Sequence, residues 1–314
     1  MAVAIKPARR PRYRRATEPP PFRLTDDDIE IVRQLGRHRF LRSTDVAALV
    51  GRSLDRANDR LMRLFHAGYI DRPRAQLDYY PTSGSAPMVY ALADRGARLL
   101  IERDGVTFAN VEWSRKNREA GRPFIEHQIE IVNLSVALQR GARERPDAVL
   151  MAASEMNAAS PQSAPRAQAS FPLRAKLSQR GVIREIGIVP DLVFGLRLAD
   201  GRRRNFMVEI DRGTMPVVRS DIEQTSFARK MRVYLAAHAA KQHEHQFGWD
   251  NFRVVTITTN RQRIDSMIDA LRDIRVAHSV GASLFWFSTF EELRADDPLV
   301  HEWRSGDGRA VGLI

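Results

Sequence analysis

The stretch that decides the fold begins Ile188-Val189-Pro190-Asp191 and runs through Leu192 to Leu198. It turns at Asp200-Gly201 and returns as Asn205-Phe206-Met207-Val208-Glu209-Ile210-Asp211. Two apolar runs of strand length around an Asp-Gly turn predict a β-hairpin. Residues two apart on a strand share a face, so Glu209 and Asp211 point one way and Ile210 the other. Whether Asp191 joins them depends on the turn. A two-residue loop at Asp200-Gly201 pairs Asp191 with Ile210, on the wrong face. A three-residue loop, or a bulge, shifts the register by one and pairs it with Glu209 or Asp211.

Three carboxylates converging on one face repel unless a cation or a hydrogen-bond network neutralises them. Mg²⁺, with Mn²⁺ as its substitute, suits an all-oxygen set. It could activate water and stabilise a leaving oxygen in phosphodiester hydrolysis. The same spacing also fits a structural arrangement, with Asp191 capping a strand and Glu209 paired to a nearby Arg.

Outward from the hairpin, the charge is uneven. Of 314 residues, 50 are Lys or Arg and 38 are Asp or Glu, a net charge of +12. Residues 1–120 hold 23 basic against 15 acidic side chains, and residues 121–314 hold 27 against 23. A basic half beside a nearly balanced half points to a polyanionic partner for the first half. There is no Cys, which excludes disulfides, Cys-based zinc sites and a Cys nucleophile. No apolar run reaches the ~20 residues of a membrane span, and the basic N-terminus lacks a signal-peptide core. A cytoplasmic protein, associated with the nucleoid or a plasmid, is expected.

Residues 1–22 read as a disordered basic arm, with Lys6, Arg9, Arg10, Arg12, Arg14 and Arg15 against Glu18 alone. Helices are predicted near 26–36, from Ser43 or Thr44 to Gly51, and from Ser53 to Gly68. Leu54, Ala57, Leu61 and Leu64 form the inward face of the third. A strand at Tyr69-Ile70, a long connection over 73–86 and a return strand at 88–92 make a hairpin, and a helix follows over 94–102. The outward positions of the third helix include Arg56, Asp59, Arg60 and Arg63, with Arg52 just before it. Arg can read guanine edges or grip phosphates. Arg72, Arg74 and Tyr79-Tyr80 of the hairpin are further candidates for DNA contact.

Residues 105–121 read as a linker and 123–143 as a long helix. A strand at 148–155 and a loop at 157–172 precede the central hairpin. A helix over 220–239, a strand over 252–258, a helix over 262–274 and a strand over 283–288 follow it. Glu126, His127 and Glu130 lie near one face of the long helix, and Glu155 ends the first strand. His243 and His245 flank Glu244 in a polar loop, with no evident third metal ligand.

Three helices followed by a hairpin resemble the winged helix-turn-helix family over about residues 24–104, and in that family the third helix enters the major groove. The order helix, strand, hairpin, helix, strand is similar to the core of the PD-(D/E)XK nuclease superfamily. Asp191 and Glu209 match its first two acidic positions. Its Lys position is Asp211 here, and Lys230 on the following helix is the candidate replacement. An acid on the long helix, such as Glu126 with His127 beside it, or Glu155, would support such a site.

A closer resemblance is to the replication-relaxation family, over most of residues 24–275. It rests on the N-terminal helices, Glu126-His127, Pro190-Asp191, and Val208-Glu209-Ile210-Asp211-Arg212-Gly213-Thr214 followed by Lys230 and Tyr234. The resemblance implies a DNA-binding protein of plasmid or mobile-element replication, relaxation or mobilisation. It leaves enzyme and non-catalytic accessory factor or regulator as alternatives. The expected fold is α+β, with a winged helix over 23–104, a linker over 105–121 and a restriction-endonuclease-like α/β domain with a central mixed sheet over 122–314. Double-stranded DNA is the expected partner, with a relaxase or another mobile-element protein, and with a homodimer as the candidate assembly.

Overall fold

The computed structural model describes residues 12–19, 21–76, 86–108, 110–158, 171–179, 182–220, 224–274 and 281–314. The chain divides into two compact units, Met1–Asn133 and Leu134–Ile314. The fold is α+β, with a large mixed sheet and several helices. No helix among the described residues is long and apolar enough to cross a membrane.

The first unit opens with α1 (Asp26–His38). Thr25 and Asp28 form its capping box, which satisfies donors that the first helical turn leaves open. Next come β1 (Phe40–Arg42), α2 (Ser43–Val50), α3 (Leu54–His66), β2 (Ile70–Asp71), β3 (Val89–Leu92) and α4 (Asp94–Asp104). The strands form an antiparallel sheet in the order β1-β3-β2, with Phe40 opposite Ala91 and Ile70 opposite Leu92. The helical period of α3 buries Ala57, Leu61 and Leu64, as the sequence pattern predicts, while Leu54 is exposed at the first turn. Ile31, Val32 and Leu35 of α1 are buried in the same unit. Gly96 is required at the start of α4, because a Cβ there would lie 2.3 Å from the Tyr69 carbonyl oxygen.

Two expectations for this unit change. Part of the expected linker is a helix, α5 (Trp113–Glu119), with Trp113 and Asn117 buried. Arg12, Arg15 and Ala16 of the expected disordered arm make hydrogen bonds to the rest of the unit; Lys6, Arg9, Arg10 and the Tyr79-Tyr80 pair lie outside the described residues. The long helix α6 (Arg122–Arg143) contains the division between the units.

The second unit contains β4 (Ala148–Ala152), α7 (Ala153–Ala158), β5 (Leu173–Gln179), β6 (Val182–Ile188), β7 (Leu192–Leu198) and β8 (Arg203–Ile210). It continues with α8 (Phe227–Ala239), α9 (Gln242–Phe247), β9 (Arg253–Thr258), α10 (Arg261–Asp273), β10 (Phe285–Thr289), α11 (Phe290–Ala295), β11 (Trp303–Ser305) and β12 (Ala310–Val311). Seven strands form the mixed sheet β12-β11-β10-β9-β8-β7-β4, in which β8, β9 and β10 are parallel. Strands β5 and β6 form a separate antiparallel ribbon, which the sequence reading does not contain.

Alternation along the strands separates two layers. Val193, Met207, Val254, Phe285 and Phe287 join Phe227, Met231 and Tyr234 of α8 and Ile264, Met267 and Ile268 of α10 in one core. On the other face, Phe194 stacks on Phe206 at 4.9 Å, and Phe206 meets Trp286 at 5.8 Å.

Candidate functional site

The turn of the β7–β8 hairpin sets the geometry of the acids. Leu198 N–H donates to Arg202 O and Gly201 N–H to Leu198 O, both at 2.9 Å, which makes a three-residue loop of Ala199, Asp200 and Gly201. Gly201 has φ +82°, a conformation that favours glycine at this turn. Leu192 is therefore opposite Val208. One step further along the ladder places Asp191 opposite Glu209, the register that the shared-face arrangement requires.

Glu209 is 1% exposed. Tyr234 Oη donates to its Oε1 at 2.6 Å, and Lys230 Nζ donates to its Oε2. Lys230 and Tyr234 are four apart on α8 and so lie on one helical face. Burial pushes the Glu209 pKa up against the lowering by Lys230, and the Asp191 charge adds to the rise. Burial alone would lower the Lys230 pKa, but Glu209, Asp191 and Asp211 outweigh it and hold the ammonium form. The Tyr234 phenol is raised well above its ordinary value, first by burial and then by Glu209. The Asp191 carboxylate accepts the Ile210 N–H at 2.8 Å.

Asp211 has different partners. Arg263 of α10 grips both its oxygens, with Nη2 to Oδ1 at 2.9 Å, and Thr258 Oγ1 donates to Oδ2 at 2.6 Å. The same guanidinium donates to Met215 O, which ties down the loop after β8. Three acids thus share one face but divide into Asp191 and Glu209 beside Lys230, and Asp211 clamped by Arg263. Among the described residues, no group of three or more His, Cys, Asp and Glu side chains is arranged to hold a metal ion. An all-oxygen set suits Mg²⁺, but both oxygens of Glu209 already meet Lys230 and Tyr234, as both oxygens of Asp211 meet Arg263.

Glu126 and His127 belong to the first unit, where Glu126 accepts from Arg122 at 2.7 Å. Glu155 is exposed on α7, not at the end of a strand. His243 is buried on α9, stacked on His238 at 4.7 Å and against Phe252 at 5.1 Å. Burial, then His238, lowers its pKa.

The arginines of the first unit divide as well. Arg60 is tied to Asp28, which is 0% exposed, through Nε to Oδ1 at 2.7 Å. Arg72 lies over the rings of Phe65 and Tyr90, at 4.2 and 5.1 Å. Arg52 makes a bidentate pair with Asp27 at 2.8 and 2.9 Å, and Arg63 pairs with Asp59 at 3.0 Å; all four side chains remain substantially exposed. Arg56 and Arg74 are exposed.

Sequence reasoning did not place Arg263, Thr258 or Tyr234 at these acids. The Lys230–Tyr234 spacing carries a signal for Tyr234. Arg263 is distant in sequence from Asp211 and carries none.

The replication-relaxation family model matches residues 32–249, a span that includes Asp191, Glu209, Asp211, Lys230 and Tyr234 and stops short of Arg263. No curated protein and no solved structure matches the chain.

Proposed function

The chain belongs to the replication-relaxation family, and from that premise we propose that it is a DNA-binding protein acting in plasmid or mobile-element replication or relaxation. The first unit reads as a winged helix, with α3 as the helix that enters the major groove. The observation that carries this reading is the exposure of Arg56 and Arg74 on α3 and the hairpin, with Arg52 and Arg63 held only by surface pairs. Exposed pairs of this kind are worth little and open readily to phosphates. The partner in this reading is duplex DNA, on which a relaxase or another mobile-element protein acts.

The second unit reads as a nuclease-like site reduced to Asp191, Glu209 and Lys230. The register that places Asp191 opposite Glu209, with Lys230 alongside, supports it. Asp191 and Glu209 would hold Mg²⁺, which would supply charge neutralisation at a phosphodiester, and Lys230 would face the phosphate. The alternative is a non-catalytic accessory factor or regulator, favoured by the saturation of both Glu209 oxygens by Lys230 and Tyr234. Supercoiled plasmid with Mg²⁺ or Mn²⁺ separates the two. Metal-dependent nicking that is lost in Glu209→Gln with binding retained supports the nuclease. Binding with no nicking at any metal concentration overturns it and leaves the accessory reading.

A further inference from the structure

At the end of α1, Arg39 holds a backbone conformation that side chains rarely adopt, with φ 60° and ψ −49°. Its guanidinium lies over three rings: Phe124 at 4.9 Å, Phe40 at 5.4 Å and Trp113 at 5.8 Å. All four residues belong to the first unit. Phe40 and Trp113 are buried and hold the guanidinium from the core side. Phe124 stands edge-on to Phe40 and is 40% exposed. Lys116, three residues after Trp113 on α5, places Nζ over the indole at 5.4 Å.

Aromatic faces attract a guanidinium without using its N–H donors. Arg52, Arg60 and Arg63 of the same unit each have a carboxylate. Among the described residues, none accepts from the Arg39 side chain. Its Nε is shut in without a partner, and so is Trp113 Nε1. Burial lowers the Arg39 pKa, with no acid to offset it. A strained backbone and a half-buried cation without an acceptor both cost stability, which the rings offset only in part. An anion at the outer Nη edge would complete the cluster, and the open part of Phe124 offers a face to an aromatic group beside it. A nucleotide carries both groups. It presents its base to a side-chain ring where the strand is unpaired, because in a duplex the bases stack on one another.

We propose that Arg39 and Phe124 form a subsite for an unpaired nucleotide of single-stranded DNA, with a phosphate on the Arg39 Nη atoms and the base against the Phe124 ring. This inference rests on the DNA-binding reading given above and adds the state of the strand: α3 and the β2–β3 hairpin take duplex, and this cluster takes a strand that is open.

The test is fluorescence anisotropy of the full chain with a labelled oligothymidylate and, separately, a labelled blunt duplex, each across a salt titration. The proteins are the wild type, Arg39→Gln, Arg39→Gly and Phe124→Leu. The wild type should bind both probes. On the single strand, Phe124→Leu should weaken binding at least about fivefold, the low end for a base stacked on a ring, and leave the salt slope unchanged. Arg39→Gln should flatten that slope by about 0.7, the share of one phosphate on a single strand. Neither should change duplex binding. Arg39→Gly should match Arg39→Gln on the single strand and melt above it, because glycine takes the positive φ without strain; a loss shared by both is then not a loss of fold. Wild-type affinity for the single strand in all three variants, or equal losses on both probes, overturns the subsite and leaves duplex binding intact. A wild type that binds the duplex alone does the same. A wild type that binds neither probe overturns both readings.

Discussion

The third helix of the first unit and the acidic hairpin of the second face opposite electrostatic problems. One gathers cations and the other gathers acids, and in both the protein settles part of the charge internally. On α3, Arg60 goes to the buried Asp28, while Arg56, four residues earlier, stays exposed. On β8, Glu209 goes to Lys230 and Tyr234, while Asp211, two residues later, goes to Arg263 and Thr258. Charge and periodicity place these residues on the right faces. Only the partners from distant elements decide which charges remain for a ligand.

The largest expected effect comes from breaking the hairpin's pairing. Glu209→Ala leaves Lys230 and Tyr234 facing a buried gap, and removal of one partner of a buried pair costs about 3–5 kcal/mol. Denaturant unfolding should record that loss. A Glu209→Gln, Lys230→Met double variant should recover most of it, because no buried charge is left alone. Equal stability of Glu209→Ala and the wild type would mean that the pair is solvated and not part of the core.

A smaller effect, confined to the first unit, follows from His38. Burial, helped by Arg37, lowers its pKa from 6.5 to about 4. The folded state therefore holds the neutral imidazole, and the unfolded chain takes up the proton first. The stability it contributes is present above pH 6.5 and is lost as pH falls toward 4, to a limit of about 3 kcal/mol. Unfolding of the wild type and His38→Gln between pH 7 and about 4 should show curves that converge as the histidine protonates. Parallel curves over that range would place the acid sensitivity in other groups.

Much of this comparison is legible in the sequence. Thr25 with Asp28 marks the start of α1, and the Leu61–Leu64 stripe orients α3. The hairpin is also legible, and its two alternative registers reduce to a single question about the Asp200-Gly201 turn. Short strands are harder to see: β1 has three residues and β12 two, too few for a period to register. The β5–β6 ribbon does alternate, with Leu173, Ala175 and Leu177 buried and Arg174 and Lys176 exposed, a period of two that is legible in the sequence. The start of α8 moves from the expected Ser220 to Phe227 because Ser226, accepting from Arg229 N–H at 3.2 Å, is the actual N-cap. The Arg263 clamp on Asp211 is a long-range contact with no local pattern. It links Asp211 to the Met215 carbonyl in the loop after β8.

The measurement that tests the central claim most directly is the salt dependence of duplex binding by the wild type and an Arg56→Gln, Arg74→Gln double variant. Two exposed arginines at ~0.9 each predict a slope flatter by about 1.8, with the melting temperature unchanged. Salt-insensitive binding, or a double variant with the wild-type slope, would contradict the assignment of DNA contact to the cations that internal pairing leaves exposed.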